Sequence, residues 1–393
     1  MKKYLLLIGL LLMSCTSNIQ ENGTIRYELN NDNKTASVIL SSSFNLKKLE
    51  IPSSISQDNI TYTVNSISIN SFKGNGNIEE VVIPDSITSI GYDAFRECNN
   101  LKKVRMSNNV ISLSDHLFAD CINLSSFEGG EKVENIYKGT FQNTHLESIT
   151  FNNLKLVSVD SFFNNKYLKD VTLLGEYTSL SGSSFERCPA LENVNLSSSV
   201  NKIDNYAFKD CSLLTNFDFT NITSIGKYAF ENSNIAEVKT SSLSLSEGSF
   251  ASCKNLKSID FTTKEIPYKC FYDSVSLSSF SLKDYQKIGS YAFYQTGLKR
   301  INFINTLEVI SSSSFKNSSL ESFTFTNDSK LKNISSRAFY NSKLSGEISL
   351  PTNLKTIYNE AFLHTNISKV NLSSSTEYDN NVFESNVEII SYK

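Results

Sequence analysis

Phenylalanine recurs at nearly constant intervals along this chain of 393 residues. Fifteen copies are separated by gaps of 20 to 24 residues, so a unit of about 22 residues repeats from Phe72 to Phe383. Such a period is typical of a solenoid, in which each repeat buries its apolar face against its neighbours. These ladder phenylalanines are Phe72, Phe95, Phe118, Phe141, Phe162, Phe185, Phe208, Phe230, Phe250, Phe271, Phe293, Phe315, Phe339, Phe362 and Phe383.

Other apolar positions keep a fixed distance from the ladder. Five residues before each phenylalanine the residue is aliphatic, except for Tyr378 in the last repeat. After the phenylalanine, stretches such as Leu101-Lys-Lys-Val104-Arg-Met106 alternate between apolar and polar residues, which predicts a strand with one buried face. Before it, Gly91-Tyr-Asp-Ala94 predicts a tight turn with glycine at positive φ, entering one short helical turn. We therefore predict a β-rich solenoid of about 15 rungs, each a strand plus a short helical turn.

The repeat unit resembles a known family. The segment Ile90-Gly-Tyr-Asp-Ala-Phe95-Arg-Glu-Cys98-Asn-Asn-Leu101 is similar to the consensus of BspA-type leucine-rich repeats, which occur on bacterial surfaces, and the match covers about residues 49–390. The resemblance implies a surface adhesin that binds an extracellular protein, either a host matrix or plasma protein or another surface protein. Six repeats lack one residue between the ladder position and the next leucine or isoleucine, namely those after Phe141, Phe230, Phe293, Phe315, Phe339 and Phe362.

The N-terminus predicts export. Lys2 and Lys3 precede an apolar run that ends near Met13, which is too short to remain as a membrane-spanning helix. Cys15 follows Leu-Met-Ser and resembles the acylated cysteine of a bacterial lipobox, so we expect a lipid anchor there and a protein exposed at the cell surface. The alternative is an ordinary signal peptide followed by an incidental cysteine.

These features predict four segments along the chain. They are a lipoprotein signal peptide at 1–14, a tether at 15–23, a capping β-hairpin at 24–48 and the repeat solenoid at 49–393. A cap is expected because the first rung would otherwise expose its core.

Five of the seven cysteines occupy one position of the repeat, three residues after the ladder phenylalanine. Elsewhere this position carries Asn, Ser or Thr, so it favours a short side chain, and cysteine fits as a small hydrophobe. Cys98 and Cys121, or Cys188 and Cys211, lie on adjacent rungs and could also form a disulfide. No metal site is expected, because the chain has no C-x-x-C and no histidine shares this position.

The sequence does not predict an enzyme. His116, His145 and His364 occupy unrelated positions of the repeat, and neither a phosphate-binding glycine loop nor an H-E-x-x-H motif occurs. No catalytic residue and no cofactor is therefore expected. The net charge of −3 also gives no basis for binding nucleic acid.

A binding surface is instead expected on the outward positions of the repeated strands. The outward column lacks aromatic residues, so a solvated face is the alternative interpretation, and a scaffold that self-associates through its C-terminal end is the alternative function. Charge and position on this face select the candidate binding residues Lys102, Lys103, Arg105, Glu128, Asn195 and Asp218.

Overall fold

A computed structural model of the protein describes residues 19–22, 25–39, 44–240 and 243–392. The predicted signal peptide and Cys15 lie outside these residues. We number the rungs by their ladder phenylalanines, from rung 1 at Phe72 to rung 15 at Phe383.

The first strands form a mixed sheet at the N-terminal end of the solenoid. Ile25–Asn30 and Thr35–Ile39 pair antiparallel, and Tyr27 and Val38 are fully buried. Thr35–Ile39 then pairs in parallel with Ile60–Ile67, whose last residue occupies the aliphatic position of rung 1. This sheet therefore leads directly into the first rung. Its strands are Ile19–Asn22, Ile25–Asn30, Thr35–Ile39, Ser54–Gln57 and Ile60–Ile67.

Two rows of parallel strands, which we call the short-strand sheet and the long-strand sheet, run along the solenoid; paired strands of neighbouring rungs are in register, and each row is divided into several hydrogen-bonded segments. In the short-strand sheet, each strand has two residues and ends at the aliphatic position five residues before the ladder phenylalanine. After Ile60–Ile67, these strands are Ser89–Ile90, Ser112–Leu113, Asn135–Ile136, Leu156–Val157, Ser179–Leu180, Lys202–Ile203, Ser224–Ile225, Ser244–Leu245, Glu265–Ile266, Lys287–Ile288, Val309–Ile310, Asn333–Ile334, Thr356–Ile357 and Glu377–Tyr378.

The long-strand sheet contains the alternating segments that follow each phenylalanine. Inward residues such as Val104 are buried and outward residues such as Arg105 are exposed, as strand geometry requires. Its strands are Lys48–Glu50, Glu80–Val82, Lys103–Met106, Ser126–Gly129, Ser148–Leu154, Asp170–Gly175, Asn193–Leu196, Glu237–Val238, Ser258–Thr262, Ser279–Lys283, Arg300–Phe303, Ser322–Phe325, Ser345–Ser349, Asn366–Ser373 and Glu388–Tyr392.

The predicted helical turn is wrong, because the described residues contain no helix. Around the ladder phenylalanine, backbone donors alternate between two kinds of partner. The N–H of Phe95 donates to the Leu117 carbonyl of the next rung at 3.1 Å, whereas the N–H of Arg96 donates back to Asp93 at 3.2 Å. Asp93 and Glu97 are left-handed, with φ of 56° and 61°. The segment is therefore a run of turns tied to the neighbouring rung.

The expected role of Gly91 is also wrong. Its φ is not positive, and the left-handed residue comes two positions later, at Asp93. A Cβ on Gly91 would lie 2.5 Å from the backbone nitrogen of Ile69 on the preceding rung. Glycine is therefore needed here for a close approach of two backbones and not for its conformational freedom.

The ladder phenylalanines form one continuous stack through the core. Rings of consecutive rungs have centroids 5.0 to 6.3 Å apart and are at most 26° from parallel. All fifteen are buried. Because each ring packs against the rings before and after it, every rung is stabilised by both neighbours.

The position three residues after the ladder phenylalanine has a role beyond its small size. The Cys98 Sγ donates to the carbonyl of Phe72 at 3.1 Å, and Cys211 donates in the same way to Phe185 at 3.1 Å. Ser274 does so at 2.9 Å, to the Phe250 carbonyl. Cysteine therefore serves here as a hydrogen-bond donor that ties one rung to the previous one.

All six described cysteines are free and buried. The disulfides considered between Cys98 and Cys121 or between Cys188 and Cys211 are therefore not formed in this structure. Burial raises the pKa of the Cys188 thiol to about 12, so this thiol stays protonated and able to donate.

Candidate functional site

The outward residues of the long strands form one exposed strip, which we call the long-strand face. Arg105 stands beside Glu128 in the strand register, and Thr172 stands beside Asn195. Arg105, Glu128, Asn195 and Asp218 are all exposed. The six candidate residues fall into two groups, which the strands of rungs 4 and 5 separate.

The first group is less basic than its sequence implied. Lys102 lies 2.8 Å from Glu79, and Lys103 lies 2.9 Å from Glu128. Glu79 also contacts Lys47 at 2.7 Å, and these two lysines lower the pKa of Glu79 to about 2. Lysines and carboxylates therefore alternate across adjacent rungs and largely neutralise one another, as exposed ion pairs do.

The second group lies where the long-strand sheet is interrupted. Residues 215–219 form no strand, so Asn193–Leu196 pairs only with Asp170–Gly175, and Glu237–Val238 pairs only with Ser258–Thr262. The outward residue Asn195 faces solvent in the strand just before this interruption, and Asp218 faces solvent within it.

The interruptions of this sheet have a common cause. Four long segments carry phenylalanine at their first inward position, and none of these pairs with the following strand. Each such ring is half-buried and lies 5.0 to 5.3 Å from the ladder phenylalanine of the next rung. In each case the next rung is one of the six repeats that lack a residue between the ladder phenylalanine and the following leucine or isoleucine. The extra ring therefore occupies space that this shorter loop leaves free. These wedge phenylalanines are Phe127, Phe217, Phe280 and Phe323.

A groove of about 630 Å³ opens at the interruption around Phe217. It spans the outward side of five rungs, and a second depression of about 280 Å³ adjoins it on the far side of Asn195 and Asp218. Asn195, Phe217 and Asp218 line both, so two of the predicted binding residues lie together at the centre of a concave site. The lining of the larger groove is Asp170, Val171, Thr172, Asn193, Val194, Asn195, Thr215, Asn216, Phe217, Asp218, Ala236, Glu237 and Lys257.

The groove has an excess of negative charge. Asp170, Asp218 and Glu237 contribute three carboxylates and Lys257 is the one cation in the lining, while Glu237 also forms an ion pair with Lys239 at 2.6 Å. Asp218 accepts hydrogen bonds from the hydroxyl and backbone N–H of Thr220, at 2.6 and 2.9 Å, and these bonds lower its pKa. The groove is therefore suited to a partner that brings amide donors or cations.

A second surface, which the sequence analysis missed, lies along the turns that flank the ladder phenylalanines. Tyr272 and Tyr294 stack with centroids 4.7 Å apart, Tyr291 packs against Tyr294 at 5.9 Å, and Tyr268 meets Tyr291 edge-on at 6.1 Å. The Lys269 Nζ lies 5.2 Å from the centre of the Tyr268 ring. The signal in the sequence is a tyrosine two or three residues before the ladder position and another one residue after it, on consecutive rungs.

The histidines do not form a catalytic group. His116 Nδ1 lies 3.8 Å from Asp93, His145 stacks on Tyr167 at 3.7 Å, and His364 lies 3.2 Å from Glu384, all on different rungs. Among residues 19–22, 25–39, 44–240 and 243–392, no three His, Cys, Asp or Glu side chains are placed to share a metal ion. The same part of the chain has no helix long and apolar enough to cross a membrane.

Comparison with known proteins agrees with this geometry. The family model described as "BspA type Leucine rich repeat region" matches six copies, over residues 65–191, 152–257 and 264–390. A leucine-rich repeat protein from Bacteroides ovatus has a similar solved structure, with a TM-score of 0.72 at 20% identity over 95% of this chain and 100% of that one. A leucine-rich cell surface protein from Faecalibacterium prausnitzii gives a TM-score of 0.48 at 22% identity, over 78% of this chain and 94% of that one.

No curated protein matches the sequence. The similarity to the Bacteroides ovatus structure concerns the fold alone, whereas the family model covers most of the repeats. The ladder, the two parallel sheets and the six matched copies lead to one conclusion: the chain belongs to the BspA-type leucine-rich repeat proteins.

Proposed function

We propose that the protein is an exported lipoprotein whose repeat domain binds another protein through the long-strand face. The observation that carries this proposal is the groove at Asn195 and Asp218. Of the four interruptions of this sheet, the one at Phe217 is where residues 215–219 form no strand at all, and the concave site there has half-exposed Phe217 at its base. A concave site with an apolar base and a few convergent polar groups is the usual form of a ligand-binding site.

The chemistry of the groove indicates the kind of partner. The carboxylates of Asp170, Asp218 and Glu237 favour an extracellular protein with lysine, arginine or amide groups at the contact. The alternating ion pairs around Lys103 and Glu128 would form a polar rim, and such exposed pairs contribute mainly to the association rate. Host matrix proteins, plasma proteins and surface proteins of other cells are the candidates for this partner.

The test is capture of host matrix and plasma proteins by the purified protein, followed by affinity measurement on any protein retained. Asp218→Lys should weaken binding at least tenfold, because it reverses a charge at the centre of the groove. Asp260→Lys is the matched control, since Asp260 is an exposed aspartate at the equivalent outward position two rungs away. Equal effects of the two variants would show that the groove is not the site.

Self-association as a surface scaffold is the second candidate function. It is supported by Ile389 and Ile390 in the strand Glu388–Tyr392, which are 38% and 37% exposed. That strand pairs with Asn366–Ser373 and has no other strand partner among the described residues. Ile389→Lys should then abolish concentration-dependent oligomers in sedimentation experiments. If the wild-type protein is monomeric at all concentrations in these experiments, this function is excluded.

A further inference from the structure

We propose that the tyrosine cluster on the turns of rungs 10 and 11 is a second binding surface, which takes an extended acidic segment of another protein. The cluster consists of Tyr268, Tyr272, Tyr291 and Tyr294. It is separate from the groove, because it lies on the turns and not on the long-strand face. The proposal does not depend on what the groove binds.

The cluster offers a semi-rigid aromatic surface to solvent. Tyr272 and Tyr294 are within 4° of parallel, so each ring holds the other in place. Asn317 on the next rung donates a hydrogen bond to the Tyr294 hydroxyl at 3.0 Å and so restrains the outer end of the Tyr294 side chain. Tyr268 is 40% exposed, and the other three rings are half-buried. Tyrosines held in this way lose little conformational entropy when a partner binds, and tyrosine is enriched at energetic hot spots.

Two lysines that form no ion pair within the described part of the chain lie over tyrosine rings here, Lys269 over two rings of the cluster and Lys316 over Tyr340. Tyr340 occupies on rung 13 the same repeat position as Tyr272 and Tyr294. Lys269 Nζ lies 5.2 and 5.4 Å from the ring centres of Tyr268 and Tyr272, and Lys316 Nζ lies 4.8 Å from that of Tyr340. Neither lysine makes an ion pair with any residue that the structure describes. Elsewhere on the solenoid most lysines are paired with an acid of a neighbouring rung, as Lys287 is with Glu265 at 2.6 Å.

The carboxylates near the cluster are already engaged. Asp273 lies 3.9 Å from Lys254, and Glu360 forms an ion pair with Arg337. Neither carboxylate lies within ion-pair distance of Lys269 or Lys316, although Lys316 also helps to lower the pKa of Glu360. Together with the phenolic hydroxyls, these two ammonium groups provide hydrogen-bond donors for carboxylates.

The spacing of the cations fits an extended chain. Lys269 belongs to rung 10 and Lys316 to rung 12, so they are about 10 Å apart along the solenoid axis at roughly 4.8 Å per rung. An extended peptide covers this distance in about three residues. A segment with acidic residues at short intervals could therefore contact both lysines while its backbone and apolar atoms lie on the tyrosine rings.

The experiment is fluorescence anisotropy with the purified full-length protein and a labelled twelve-residue peptide of alternating glutamate and glycine. The same peptide with glutamine in place of glutamate is the control probe. We expect the glutamate peptide to bind at low salt and the glutamine peptide to bind at least tenfold more weakly. Because the contact is electrostatic, the affinity should fall steeply in 0.5 M salt.

Variants then locate the contact. Lys269→Gln with Lys316→Gln should weaken binding at least tenfold, and Tyr268→Ala at least threefold. The matched control is Lys138→Gln with Lys343→Gln, which removes the same charge from two exposed lysines of other rungs and should change affinity less than twofold. Asn195→Ala in the groove should also leave peptide binding unchanged, which separates this proposal from the proposed function.

Three outcomes would overturn the proposal. The first is equal binding of the glutamate and glutamine peptides. The second is an equal loss of affinity in the two pairs of lysine variants. The third is binding of a sulfated oligosaccharide or an oligonucleotide through Lys269 and Lys316 without binding of the glutamate peptide, which would assign the surface to another class of polyanion.

Discussion

The ring of Phe217 lies edge-on against that of Phe230, with centroids 5.2 Å apart and planes at 71°. Phe217 also meets Phe208 at 5.2 Å, so it is wedged between the ladder rings of two rungs. Residues 215–219 form no strand, and the groove that contains Asp218 opens there. A single aromatic residue thus links the packing of the core to the shape of the candidate binding surface.

Replacing a ladder phenylalanine with alanine should lower the free energy of unfolding more than replacing a wedge phenylalanine. Phe208 is fully buried between Phe185 and Phe230, so Phe208→Ala should lower the free energy of unfolding by about 3–5 kcal/mol. Phe217 is half-buried, so Phe217→Ala should cost about 1–3 kcal/mol. Urea denaturation measures both. Ile122→Ala, at a side chain 54% exposed, is the control and should change stability by less than about 0.5 kcal/mol.

The cysteines should be replaceable by serine but not by alanine. Cys211→Ser keeps a donor to the Phe185 carbonyl, as Ser274 does naturally for Phe250, and should cost less than about 1 kcal/mol. Cys211→Ala leaves that buried carbonyl without this donor and should cost about 1–3 kcal/mol. Thermal melting compares the two. Equal costs would show that size alone matters at this position.

Glu79 should stabilise the fold in a pH-dependent way. Lys102 and Lys47 lower its pKa from 4.5 to about 2, so its contribution is present above the ordinary value and is lost as the pH falls towards 2. The stability difference between the wild type and Glu79→Gln should therefore be constant from pH 6 to 7 and shrink between pH 4.5 and 2. High salt should reduce this difference, because the three groups are exposed. A difference that grows on acidification would contradict the assignment.

The lipid anchor is tested at Cys15, which follows a short apolar segment. Cys15→Ser should release the protein from membranes or leave its signal peptide uncleaved. Cys98→Ser, at a buried repeat position, is the matched control and should leave membrane association intact. Mass spectrometry that finds an unmodified mature N-terminus at another residue would exclude acylation.

Replacing a non-glycine residue at a left-handed turn position with glycine should stabilise the protein. Gln295 has a φ of 56° and an exposed side chain, so Gln295→Gly should raise stability by up to about 1 kcal/mol. Gln295→Val should lower it, because a β-branched side chain clashes in this conformation. Thermal melting curves of the two variants and the wild type measure these changes in stability. Equal stability of the two variants would mean that the turn carries no backbone strain.

The sequence predicts the repeat, the register and most of the core, because each depends on a fixed spacing. The aliphatic position before each phenylalanine is the last residue of a strand in every rung, even where Tyr378 replaces the aliphatic residue. The BspA-type family was recognised from the same spacing, through segments such as the one from Ile90 to Leu101.

Other features depend on contacts between rungs, which no single repeat reveals. The turn at Asp93 looks helical by composition, yet its backbone donors bind the next rung. To predict the groove, one must combine two features of the sequence, the phenylalanine at position 217 and the loop of the following repeat, which is one residue shorter. The tyrosine cluster does not follow from the strand pattern, because Tyr272 and Tyr294 lie on the turns.

The hydrogen bonds between rungs run along the length of the rod, and this direction governs its response to mechanical load. Tension applied between the two ends would load all of these bonds together and break them one rung at a time, because each rung, such as that of Phe208, is held only by its two neighbours. Each detached rung would release about 22 residues, or roughly 75 Å of extended chain. With the proposed lipid anchor at one end, the protein would lengthen stepwise under shear flow and keep its remaining rungs folded.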